Sequence, residues 1–228
     1  ILRVIVFQSD LYWEDPESNL KAFDDAIGAA NVQADLILLP ETFSTGFTMN
    51  SGKFAEEGLG PTLKWLMETS KRTRVWIAGS YICRDGHRIY NRLPLVAPDG
   101  IMDHYDKRHL FRMGREDENF TPGSRRVVFK LKQFRILPQI CYDLRFPVFA
   151  RNRNDYDVVV YVANWPGVRH QVWETLLRAR AIENQSYVIG VNRTGTDGNG
   201  VEYQGESAAI DCLGMDIFRM QGDECIHT

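Results

Sequence analysis

The chain has only four cysteines in 228 residues, Cys83, Cys141, Cys212 and Cys225, and no two form a Cys-x-x-Cys pair. Such scattered thiols argue against a disulfide scaffold or a thiolate zinc site, and suit a reduced, cytoplasmic compartment. His87, His104, His109 and His170 show no metal-ligand spacing, so no metal is expected. The formal net charge of -3 includes no basic surplus, which removes the usual footprint of a nucleic-acid partner. No apolar run approaches a membrane span, and no segment has the layout of a signal peptide. Repeats, linkers and low-complexity stretches are missing too, which leaves one domain over residues 1–228. Gly195, Gly198 and Gly200 surround Asp197 and Asn199 without a strand-to-helix phosphate loop, so a flexible connection is expected there.

What is present is an ordinary globular composition in a chain long enough for a sizeable core. Continuous apolar runs at Leu2-Arg3-Val4-Ile5-Val6-Phe7, Leu36-Ile37-Leu38-Leu39, residues 75–80 and 157–162 read as buried strands. Leu20, Phe23 and Ile27 recur at helical spacing after Asp15-Pro16, and residues 63–71 suggest a second helix. A third is expected to bury Val172, Leu176 and Ala179, its face widened by Trp173, Leu177 and Ile182. Pro98-Asp99-Gly100 has hairpin chemistry between residues 88–97 and 101–105. A second hairpin is expected at 127–131 with 134–140, and final strands at 186–193, 207–210 and 215–220. Helices alternating with buried strands and interleaved hairpins indicate an α/β domain with mixed sheets. The chain begins at Ile1 and stops in what reads as the start of a strand, so residues are expected beyond both ends.

Three residues at strand ends carry possible chemistry. Cys141 follows the apolar stretch ending Pro138-Gln139-Ile140 and precedes Tyr142-Asp143-Leu144-Arg145-Phe146-Pro147. A helix starting there would favour a nucleophilic thiolate through its amides and dipole. Glu41 comes just after a strand, where open α/β sheets place their sites, and suits a general base. Lys107, in the mixed charge cluster His104-Tyr105-Asp106-Lys107-Arg108-His109, could stabilise an oxyanion. Removing Glu41 or Lys107 is expected to cost turnover far more than stability. Each position alone also fits a buried thiol or a solvated charge; a Cys–His pair with His104 or His109 is a further option.

Taken together, Leu38-Leu39-Pro40-Glu41, Tyr105-Asp106-Lys107-Arg108-His109-Leu110-Phe111 and Ile140-Cys141-Tyr142-Asp143-Leu144-Arg145-Phe146-Pro147 resemble the nitrilase superfamily of carbon–nitrogen hydrolases. The likeness continues through Ala163-Asn164-Trp165-Pro166, Arg178-Ala179-Arg180-Ala181-Ile182-Glu183-Asn184-Gln185 and Val191-Asn192-Arg193. It implies a four-layer αββα sandwich, a homodimer, no cofactor and a Glu41–Lys107–Cys141 triad. The resemblance also implies a second glutamate before Pro122-Gly123, best matched by Glu116 with Glu118 competing, and a C-terminal tail beyond Thr228. Leu11-Tyr12-Trp13-Glu14-Asp15, residues 40–49 and Phe111-Arg112-Met113-Gly114-Arg115-Glu116 are similar to the omega-amidase branch. That branch acts on the terminal amide of omega-amidodicarboxylates such as 2-oxoglutaramate. The backbone amide of Tyr142 is then an oxyanion donor, Arg145 a candidate for the substrate's far carboxylate, and Phe43, Trp165 and Tyr203 candidates for the pocket wall. A nitrile, a carbamoylated amine or an aliphatic amide is the alternative substrate, and a non-catalytic scaffold the alternative role.

Overall fold

The computed structural model describes residues 1–30 and 32–227. Its first sheet includes β1 (Val4–Gln8), β2 (Leu36–Leu38), β3 (Trp76–Ala78), β4 (Tyr81–Asp85), β5 (Arg88–Ala97) and β6 (Gly100–Asp106), with the short strand Glu56–Glu57 at the edge beside β4. The second comprises β7 (Phe129–Leu131), β8 (Phe134–Ile140), β9 (Val158–Ala163), β10 (Tyr187–Asn192), β11 (Ala208–Ile210) and β12 (Asp216–Arg219), and β13 (Cys225–His227) returns to pair with β1. In the first sheet β1, β2 and β3 are parallel, and β4, β5 and β6 join them as antiparallel hairpins. In the second, β8, β9 and β10 form a parallel centre with antiparallel strands at both edges.

Three packed clusters define the layers. Val6, Leu38, Val160 and Val191 belong to an apolar seam between the two sheets. The outer face of the first sheet is covered by α1 (Pro16–Ala29) and α2 (Pro61–Thr73), which bury Phe23, Ile27 and Leu66 with Ile5 and Ile37. On the outer face of the second, α3 (His170–Asn184) buries Trp173, Leu177 and Ala181 with Tyr161 and Val188. The result is the expected αββα sandwich. Every residue of β9 is buried because the strand is covered on both faces, which is why it reads as an uninterrupted apolar run. Each such side chain contributes about 1.5–3 kcal/mol of burial. Among the described residues no helix is long and apolar enough to cross a membrane.

Local chemistry sets the element ends. Asp15 caps α1, accepting from Ser18 N at 3.1 Å, with Pro16 in the first turn. Pro138 sits inside β8, yet only β9 pairs with that stretch, because β7 ends opposite Phe134 to Ile136.

The structure departs from the sequence pattern in three places. Strand β4 was not anticipated; its run is short and polar at its end, and it is completed by pairing to β5 across a two-residue turn with Gly86 at φ +58°. The buried face of α3 is rotated by one residue, to Trp173, Leu177, Ala181 and Asn184, leaving Ile182 exposed. Both phases satisfy helical spacing, and the Trp173 ring packing on Trp165 at 5.5 Å accompanies the observed one. The glycine-rich connection also contains paired strands that the sequence pattern did not announce. Thr194–Thr196 pairs with Glu202–Gln204 as a ribbon that carries Tyr203. The strand expected at 224–228 is β13 over Cys225–His227; Thr228 lies outside the described residues.

Candidate active site

Three sheet ends meet at one place. Glu41 follows β2 by three residues, Lys107 follows β6 directly, and Cys141 follows β8 directly. Lys107 Nζ donates to Glu41 Oε1 at 2.8 Å and to Glu116 Oε1 at 2.9 Å, with all three side chains fully buried. Glu41 also accepts from Asn91 Nδ2 at 2.8 Å and from the Asn164 backbone amide at 2.8 Å. Glu116 uses its second oxygen on Phe111 N at 2.6 Å. Glu118, the competing candidate, is exposed and pairs with Arg115.

These bonds explain the protonation states. Burial would lower the Lys107 ammonium, but Glu116 and Glu41 outweigh it and hold the group above the usual lysine value. Burial pushes the Glu116 carboxyl up; Lys107 opposes this and Glu41 adds to it.

Cys141 has φ +45°, a left-handed conformation that costs a non-glycine residue on the order of 1 kcal/mol or more. A buried carboxylate over-determines the bend. Asp143 accepts from Ile140 N at 3.0 Å, Tyr105 Oη at 2.7 Å and His109 N at 2.9 Å, and its Oδ1 lies 2.7 Å from His109 Nδ1. Tyr105 and His109 flank Lys107 in sequence, so one residue ties the Cys141 bend to the segment that carries the ammonium. His109 stacks on Phe146 at 3.8 Å, and it is Asp143, not Cys141, that it pairs with. Pro122-Gly123 closes against the same segment: Gly123 N donates to Lys107 O at 2.8 Å, and a Cβ at Gly123 would lie 2.0 Å from Asp106 O.

A cleft of about 390 Å³ opens on this cluster. Cys141, Lys107 and Asn164 reach it, while Glu41 and Glu116 contact Lys107 from within the fold. Aromatic groups contribute to the wall, Trp165 and Tyr203 among them, and Arg145 reaches it too. Tyr203 Oη donates to Asp197 Oδ2 at 2.9 Å.

The carbon–nitrogen hydrolase family model matches residues 3–224. The chain belongs to that family. It is 49% identical to omega-amidase YafV of Yersinia enterocolitica over 215 residues, which covers 93% of this chain and 82% of that protein. It is also 34% identical to the 2-oxoglutaramate amidase of Bacillus subtilis over 212 residues, covering 91% and 82%. A carbon–nitrogen hydrolase superfamily protein from Xanthomonas campestris, solved with an arsenic adduct in its active site, superposes with a TM-score of 0.97 at 43% identity, over 99% of this chain and 88% of that one.

Two expectations for this carbon–nitrogen hydrolase need correction. Phe43 is not in the pocket: it is fully buried on the far side of the first sheet, ring to ring with Phe23 at 5.6 Å and Trp65 at 5.7 Å. An aromatic two residues after a site carboxylate fits wall or core equally well by sequence; Thr42, at φ +41°, turns the chain and sends the next side chain beneath α1 and α2. The surroundings of the thiol also differ from those expected. Residues Cys141–Arg145 form a short 3-10 turn rather than an α-helix, so the axial dipole is small. Burial pushes the Cys141 thiol well above its ordinary value, the Glu41 carboxylate adds to this, and Lys107 only partly offsets it. Thiolate absorbance, measured as wild type minus Cys141→Ala, should therefore develop only above the ordinary thiol pKa of 9.0. Absorbance already present at neutral pH would contradict this ordering.

Sequence reasoning missed Asn91, Asn164 and Asp143 as site-building residues. Asn164 and Asp143 lay inside motifs it had already quoted; Asn91 had no signal, because its role comes from β5 passing beside Glu41.

Proposed function

We propose that the protein is a cofactor-independent amidase that hydrolyses the terminal amide of a small omega-amidodicarboxylate such as 2-oxoglutaramate. Glu41 takes the thiol proton as Cys141 Sγ attacks the amide carbonyl carbon, forming a tetrahedral oxyanion. Lys107 and the Tyr142 backbone amide, free of an intraturn acceptor at the start of its turn, stabilise that charge. The carbon–nitrogen bond breaks as Glu41 returns its proton to the departing ammonia, leaving a thioester. Water deprotonated by Glu41 attacks the thioester, and the carboxylic acid leaves as the thiol is reprotonated. Glu116 acts as a positioning group, with one oxygen on Lys107 and the other on the Phe111 amide beside the pocket. Trp165 and Tyr203 shape the wall, and Arg145 faces the substrate's far end.

The observation that carries the reading is convergence: an ammonium 2.8 Å from a buried carboxylate, both beside a thiol at one cleft. Relatives named for omega-amidase and 2-oxoglutaramate amidase activity support the choice of substrate. We take the working form to be a cytoplasmic homodimer acting on a small molecule. Wild-type protein should release ammonia from 2-oxoglutaramate and succinamate with higher catalytic efficiency than from an aliphatic nitrile or an N-carbamoyl amine. A panel in which the nitrile or the carbamoyl compound ranks first would replace this substrate class with the other.

A further inference from the structure

Arg145 and Arg169 both reach the active-site cleft, and among the described residues neither forms an ion pair. Nearby acids are already engaged. Asp117 lies 3.4 Å from Arg112, Glu118 lies 2.6 Å from Arg115, and Asp197 accepts from Tyr203 Oη, Asn199 N and Val201 N. Aromatic faces hold the two guanidinium groups instead. The Arg145 guanidinium carbon lies 5.3 Å from the Trp165 ring centroid and 5.9 Å from that of Tyr142, and the Arg169 carbon lies 5.5 Å from that of Phe111. Phe111 and Tyr142 meet edge to face at 5.2 Å, so the two stacks share one aromatic wall. Trp165 Nε1 donates to Arg169 O at 2.9 Å, which fixes the backbone from which Arg169 projects.

Stacking orients a guanidinium plane while leaving its in-plane N–H donors free. Two such groups at the edge of a largely apolar cleft offer nothing extra to a neutral amide, whereas a carboxylate can take charge-assisted bonds from both. We propose that Arg169, acting with Arg145, receives the carboxylate end of the substrate and is the residue that makes this amidase select omega-amido acids over neutral amides of equal length. The inference rests on the amidase reading above and deepens it.

Succinamate and butyramide differ only in carboxylate against methyl at the far end. Wild type should prefer succinamate. Arg169→Gln should lower the succinamate-to-butyramide ratio of kcat/KM by about 10- to 100-fold, mainly through KM, because the carboxylate is held alike in ground and transition states. Arg169→Lys should restore part of the ratio, since an ammonium carries the charge without the planar fork. Arg88→Gln, at an exposed arginine opening β5 and away from the cleft, should keep the wild-type ratio. Calorimetric binding of succinate, expected to weaken in Arg169→Gln, tests the pair without turnover. An unchanged ratio together with unchanged succinate affinity in Arg169→Gln would overturn the proposal and leave the amidase reading intact. Succinate binding that depends on Arg169, in a wild type that hydrolyses neither amide, would do the reverse.

Discussion

Cys141→Ala should leave a folded protein that releases no measurable ammonia from 2-oxoglutaramate, with turnover reduced by about 10⁴-fold or more. No other thiol can substitute. Cys83 is buried in the cluster beneath α1 and α2, and neither Cys212 nor Cys225 reaches the cleft. Stability should change by no more than about 1 kcal/mol, because alanine retains the Cβ and the backbone bend. That bend is held by Asp143 rather than by sulfur, whose contact with Asn164 O is long at 3.9 Å. The assay pairs initial rates with a thermal melt. A variant that melts as wild type yet retains a substantial rate would remove Cys141 from the mechanism.

Lys107→Met should fail in both respects, whereas the sequence alone led to the expectation that turnover would suffer far more than stability. Losing the proposed oxyanion donor is expected to cost at least about 10²- to 10³-fold in kcat. The same ammonium, however, is the shared counter-ion of two carboxylates with no solvent exposure. Methionine replaces the side-chain length but leaves both charges buried and uncompensated, a change worth about 3–5 kcal/mol. For a chain of this size the melting temperature should fall by roughly 6–20 °C. The pH dependence gives a second signature. Lys107 opposes the rise that burial imposes on the Glu116 carboxyl, so without it the folded-state pKa of Glu116 moves further above its unfolded value and the native state binds that proton more tightly than the unfolded one. The penalty is then fully present at neutral pH and shrinks as pH falls toward the ordinary glutamate value of 4.5. Melts of wild type and variant at pH 7 and pH 5 should converge. A constant gap across that range would mean the loss is one of packing, not of charge.

Much of the architecture was readable because it rests on local pattern. The buried parallel strands are apolar runs, α1 is announced by Asp15-Pro16, and the hairpin between β5 and β6 by Pro98-Asp99-Gly100. Reading failed where two local solutions were equally good. Helix α3 could have buried either of two faces one residue apart, and Phe43 could have served wall or core. The proposed catalytic trio was legible for a different reason: each member follows a strand end within a motif quoted for the family, so position along the chain was enough to nominate it.

The sequence by itself therefore determined the layered α/β class, the strand ends that carry Glu41, Lys107 and Cys141, and the family. Tertiary structure alone decided which glutamate meets the lysine, that the lysine is buried between two carboxylates, and that two arginines face the cleft with no acidic partner among the described residues. The division has a physical cause. Hydrophobic period and capping are properties of neighbours a few residues apart, whereas desolvation and charge pairing depend on groups brought together from afar. Asn164, which fixes Glu41 through its backbone amide, lies 123 residues further along the chain, and no local pattern couples the two.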